Sequence, residues 1–197
     1  MLCETAPEFP KKFPSVEALC MSAVRRFSPI ALNNGEVTLA SGAVPRPLEA
    51  VYQDELYRAC FLLLRNIYIS SEWSGKGKNG RVDFLVRQKN WAIECVRDGS
   101  RLNEHIRRFQ EGGRYYQWIE SGEITEYIIL DFRTGMPKIP LGMYDNAFIH
   151  LVFTLTIDDL DIDIPLFYIV FNNDYSQFQV YDGKLKPRGV EITLLNG

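Results

Sequence analysis

The sequence predicts an α/β domain built on a mixed β-sheet, and three observations lead there. A helical pattern from Leu48 to about Asn66 places apolar residues at positions 48, 52, 56, 59, 60 and 63, one stripe fit to lie on a sheet. Three β-patterned runs follow at about 67–73, 81–87 and 91–97, the last two joined by the polar hairpin turn Arg87-Gln88-Lys89-Asn90. A second helical stretch at about 101–121 then leads to a strand at about 126–132. That is the alternation by which helices cover a sheet.

The other elements follow in order. Pro7, Pro10 and Pro14 mark an extended lead-in, and Ser15 is placed to cap a helix running to about Phe27. Residues 28–47 hold Pro29, Asn33-Asn34-Gly35, Gly42, Pro45 and Pro47, and read as a long loop or arm with room for one short strand. The chain therefore divides into an extension, 1–47, packed on an α/β domain, 48–197. In the helix at 101–121, Leu102, Ile106, Phe109, Gly113 and Tyr116 fall on one core-facing stripe. Gly112-Gly113 interrupts it, at about 1 kcal/mol per glycine, and signals a close helix–sheet approach or a break. After a Gly/Pro-rich link come β-runs at 147–156, 166–172, 177–182 and 190–195.

Composition sets the bounds. With 197 residues, 46% of them hydrophobic, the chain can bury a real core. The N-terminal residues have neither a basic start nor an apolar segment of the secretory kind, and no run reaches the length of a membrane span. Cys3, Cys20, Cys60 and Cys95 are scattered without CxxC pairs, so they read as reduced thiols in the cytoplasm or nucleus. Two histidines make a zinc site a poor expectation. The net charge is −3 but uneven: residues 72–118 carry ten Lys or Arg against six acids, whereas 119–163 carry two against nine. The basic stretch suits a phosphate backbone, and ordinary solvated charge is the competing reading.

Within the basic stretch, Asp83 and Glu94 each interrupt a short apolar β-run. A buried carboxylate costs several kcal/mol unless it is paired, hydrogen-bonded or bound to a metal. With a turn of two or four residues, paired positions sum to 177, and Asp83 faces Glu94 on the same side of the hairpin. Two such charges repel, and Mg²⁺ or Mn²⁺ would relieve the repulsion.

The order of a helix carrying Glu55, a strand with Asp83, a strand with Glu94 and a helix with Gln110 and Tyr115 resembles the PD-(D/E)xK nuclease-like superfamily, the restriction-endonuclease fold. The wording Trp91-Ala-Ile-Glu-Cys-Val-Arg-Asp-Gly99, followed by Leu102-Asn-Glu-His-Ile-Arg-Arg-Phe109, is similar to the nuclease-like C-terminal domains of Crinkler-type effector proteins and related fungal proteins. The motif content covers roughly residues 48–133. The resemblance implies a restriction-endonuclease-like mixed sheet flanked by helices, with extra C-terminal strands. It implies a metal held by Asp83 and Glu94, with Glu55 completing its environment, and a nucleic-acid phosphodiester as substrate, DNA ahead of RNA.

The superfamily's Glu-x-Lys lysine is missing here, its place taken by Val96. The register puts Arg81 opposite Val96, so Arg81 is the expected substitute cation. Arg97 is the other candidate, although in a regular strand it points to the other face. Arginine can stabilise charge but shuttles protons poorly. Lys76, Lys78, Arg101, His105, Arg108, Gln110 and Tyr115 are the candidate nucleic-acid contacts. Each has an ordinary structural alternative: Glu55 can pair with Arg58 three residues on, and His105 can be a surface or capping residue. The alternating acids at 158–163 lack the glycine and closing glutamate of a calcium loop. The expected activity is metal-dependent phosphodiester hydrolysis. The alternative is a module that binds nucleic acid or a protein partner without catalysis.

Overall fold

A computed structural model of the chain describes residues 7–34, 37–38, 46–75, 80–137 and 165–195. The β-run expected at 147–156 and the acids at 158–163 lie outside these residues, as do Lys76 and Lys78. Helix α1 (Val16–Val24) starts at Ser15, whose Oγ accepts the Ala18 N–H at 3.2 Å. A short helix α2 (Pro29–Asn34) follows, and Ser28 Oγ accepts the Ala31 N–H at 3.2 Å in the same way. Strands β1 (Val37–Thr38) and β2 (Arg46–Pro47) pair antiparallel. The stretch expected to be an arm with one strand is thus a helical turn and a small ribbon, because a cap at Ser28 and proline at the first helical position start a helix despite the poor formers behind them.

Helix α3 (Glu49–Leu64) leads into β3 (Ile69–Trp73), β4 (Val82–Val86) and β5 (Trp91–Arg97). Helices α4 (Leu102–Phe109) and α5 (Tyr116–Glu120) connect β5 to β6 (Glu126–Arg133). Strands β7 (Leu166–Phe171), β8 (Gln177–Asp182) and β9 (Ile192–Thr193) complete one seven-stranded sheet in the order β3-β4-β5-β6-β7-β8-β9. Strands β5, β6 and β7 run parallel, and every other neighbouring pair is antiparallel. The protein is a mixed α/β fold with helices on both faces of its sheet. Leu19 of α1 and Leu56 of α3 pack with Ile93, Leu130 and Phe132 on one face. Ile106, Phe109 and Trp118 pack with Val82, Ala92 and Val96 on the other. Among the described residues no helix is long and apolar enough to cross a membrane.

The helix expected at 101–121 is two helices. At Gly113 a Cβ would overlap the carbonyl oxygens of Arg107 and Arg108, and Gly112 has φ +76°. Here the chain folds back on the end of α4 and restarts. The restart shifts the stripe by one residue, so Tyr115, 1% exposed, enters the core, and Tyr116 stays half-buried. Gly113→Ala should therefore cost about 1–3 kcal/mol by forcing that overlap. Gly112→Ala, facing open space, should cost only about 1 kcal/mol for its left-handed backbone. Urea denaturation of both variants checks the order.

Candidate functional site

The hairpin of β4 and β5 pairs Phe84 with Ile93, Leu85 with Ala92 and Val86 with Trp91, the register in which positions sum to 177. Along β5, Trp91, Ile93 and Cys95 face α1 and α3, whereas Ala92 and Val96 face α4 and α5. Glu94 lies between those two and is 1% exposed, beneath α4. Residues three apart share one side of a helix, so α4 brings both His105 and Arg108 over it. His105 Nδ1 lies 2.8 Å from Glu94 Oε2, and Arg108 Nη1 lies 3.6 Å from the same oxygen. Arg108 also bonds Glu104 at 3.0 Å and reaches the Tyr115 hydroxyl at 3.5 Å. That hydroxyl donates to the Arg81 carbonyl. Burial first, and then Glu94 beside it, push the Tyr115 phenol above its ordinary range.

Asp83 is held differently. Its Oδ2 accepts the backbone N–H of Cys95 at 2.6 Å, so the carboxylate turns onto β5. Burial raises its pKa to about 7, with the Glu94 charge as the second cause and the Cys95 N–H opposing. Each acid is thus anchored through one oxygen. Glu94 Oε1 is buried with no hydrogen-bond partner.

The substitute cation is not where the register argument placed it. Val82 and Leu85 pack on the same face of the sheet, so the alternation of β4 breaks at Asp83. Arg81 precedes the strand and turns outward to an exposed ion pair with Glu72 at 2.8 Å. Arg97 donates to the Pro47 carbonyl at 3.2 Å, away from Glu94. Glu55 is also committed elsewhere: Oε2 accepts the Ser28 N–H at 2.6 Å, and Arg58 binds both oxygens at 2.8 and 2.6 Å. It anchors the start of α2 and takes the Arg58 pairing. Arg101 is exposed before α4, and Gln110 closes α4 with its Nε2 buried and unpartnered.

Two features escaped the sequence reading. Glu49, in the first turn of α3, is the acid on that helix whose charge acts on Asp83. On β6, Asp131 is 0% exposed and accepts from Gly99 N–H at 2.9 Å and Arg133 Nη2 at 2.7 Å. An acid inside the apolar run 126–133, two residues before an arginine on the same strand face, was the available signal. Asp131 stands beside Val96 in the β5–β6 register. Separately, a groove of about 890 Å³ opens at the break between α4 and α5, lined by residues including Gly80, Gly113, Arg114, Glu111 and Glu120, so its charge is mixed.

The raised Asp83 value has a signed consequence. A carboxyl whose folded pKa exceeds its unfolded one stabilises the fold fully below the unfolded pKa, and that contribution fades as pH rises to the folded value. Metal-free wild type should therefore lose stability between about pH 4 and 7 relative to Asp83→Asn, which keeps an acceptor for Cys95 but cannot ionise. Thermal melts across that window, without divalent cations, read the difference. Asp131→Ala should cost about 3–5 kcal/mol in chemical denaturation, because it strands a buried Arg133.

In comparisons with known proteins, no family model, curated protein or solved structure matches this chain.

Proposed function

We propose that this domain binds a divalent cation between Asp83 and Glu94 and acts on nucleic-acid phosphodiesters as a nuclease-like module. The observation that carries the reading is the buried, unpartnered Glu94 Oε1 on an acid whose charge already acts against that of Asp83. Among the described residues no group of three or more His, Cys, Asp or Glu gathers as a metal cage. Two carboxylates suit Mg²⁺ nonetheless, since that ion commonly keeps several waters and takes further oxygens from a phosphate. When bound, such an ion supplies charge neutralisation at the phosphate and an acidified water.

The chain's own residues do the rest. Asp83 and Glu94 hold the ion, His105 and Arg108 hold Glu94, and exposed Arg101, Arg107 and Arg114 offer positive charge on the same side for a phosphate backbone. The order of a helix, an antiparallel hairpin bearing both acids, a helical crossover and a parallel strand agrees with the resemblance noted in the sequence. The buried free thiols Cys20, Cys60 and Cys95 are compatible with a reducing compartment, the cytoplasm or nucleus.

A second reading has its own support. Val96 is 0% exposed in an apolar cluster, so no lysine-like cation rises from β5, and Arg108 is engaged by two glutamates. These features favour a module that binds nucleic acid or a protein partner without cutting.

Calorimetric titration with Mg²⁺ and Mn²⁺ tests the metal reading. Wild type should bind one ion, and Asp83→Asn and Glu94→Gln should lose it. Oligonucleotide cleavage, where present, should be slow, require the ion and vanish in Glu94→Gln. Retention of DNA without cleavage, weakening steeply with salt, would select the binding module. Absence of both ion and nucleic-acid binding would overturn the proposal.

A further inference from the structure

Glu94 needs more than burial to serve as a ligand, since its carboxylate turns about a soft terminal torsion. The shortest contact that restrains that rotation is His105 Nδ1 to Oε2 at 2.8 Å, with the Tyr115 hydroxyl also beside the carboxylate. Arg108 is too distant to replace it: Nη1 stands 3.6 Å from Oε2, and Nη2 is bonded to Glu104 at 3.0 Å. Arg108 Nη1 also stands 3.3 Å from Nδ1, where Nδ1 would have to accept, but a carboxylate only accepts hydrogen bonds, and the shorter 2.8 Å contact to Glu94 assigns the proton to Nδ1 as donor. His105 is itself rigid. It is 8% exposed, its backbone N–H bonds the Arg101 carbonyl at 3.1 Å, and its neighbour Ile106 is buried in the core beneath α4.

We propose that His105 is a positioning residue for Glu94: its Nδ1–H fixes Oε2 and so presents the unpartnered Oε1 to a divalent cation. This rests on the metal reading of the preceding section. It assigns His105 a place behind the ligand rather than on a nucleic acid. Second partners of this kind, behind a ligating carboxylate, typically change metal affinity 10–100-fold when removed.

The test compares two variants of the full chain with opposite losses. His105→Asn sets an amide N–H near the place of Nδ1 but gives up ring volume. His105→Phe keeps the ring and removes the donor. Titration with Mn²⁺ should find His105→Asn near the wild-type affinity and His105→Phe weakened about 10–100-fold. The reverse order would show a packing role and overturn the inference, as would wild-type affinity in both. Wild type that binds no Mn²⁺ would overturn the metal reading and this inference with it. Wild type that binds, with Asp83→Asn silent and His105→Phe unaffected, would overturn the inference alone. Should His105→Phe fail to fold, the imidazole nitrogen spectrum of wild type decides at a pH where the ring is neutral. A protonated Nδ1 with bare Nε2 is expected, and a bare Nδ1 overturns the proposal.

Discussion

A glutamate with 1% exposure in the third strand of a seven-stranded sheet is the constraint around which this half of the molecule is organised. Leaving such a charge without donors costs several kcal/mol, more than most single packing contacts return. Its donors come from outside the sheet. Helix α4 must lie close enough to set His105 and Arg108 over Glu94, and it must end early enough for Tyr115 to turn back under it. The Gly112-Gly113 break serves that geometry, since a side chain at 113 would push into the last carbonyls of α4. Tyr115 then ties the crossover to β4 through the Arg81 carbonyl. Helix length, glycine placement and the charge on β5 are therefore one solution rather than three.

Asp83 and Glu94 show how two neighbouring acids can be made chemically unlike. Glu94 is met by side chains from a helix, so its anchoring depends on tertiary packing. Asp83 is met by a backbone N–H of the adjacent strand, so its anchoring is local to the hairpin. Each arrangement engages one oxygen, and on Glu94 the other is left without a partner. A cation placed between the two carboxylates would relieve the burial and repulsion that raise Asp83.

Much of this was legible in the chain. Strand periodicity and a polar turn were enough to place β5 at 91–97 and the hairpin in the 177 register, because a one-residue slip would have turned every apolar side chain of β4 and β5 to the wrong face. Where regularity ends, the pattern of the chain no longer fixes which side chains meet. Arg81 was assigned by extending alternation through Asp83, and the break there is a tertiary event that Val82 makes by joining the α4-side cluster. Glu55 was chosen from the resemblance, for its place on the helix before the hairpin, but a place in the order of elements fixes no height along a helix. Six residues separate it from Glu49, about 9 Å along a helix axis, and only the earlier one stands at the level of Asp83. His105 and Arg108 were expected to contact nucleic acid, yet the acid they meet instead depends on how α4 is laid across the sheet, which spacing along α4 leaves open.

The distribution of cations follows from the same packing. Position 96 is sealed beneath α4 beside Asp131, and Asp131 already takes its hydrogen bonds from Gly99 and Arg133. A cation rising from β5 would have to compete for that acid in an apolar layer, where an ammonium is strongly disfavoured. Positive charge therefore reaches Glu94 from the helix instead of the strand, and this has a thermodynamic consequence. Any motion lifting α4 from the sheet withdraws His105 and Arg108 together and leaves Glu94 bare, at a cost of order several kcal/mol. A cation bound only by the packed arrangement would stabilise it by mass action. Were an ion to bind the acid pair, its binding and the closure of α4 onto the sheet would be coupled equilibria, each favouring the other.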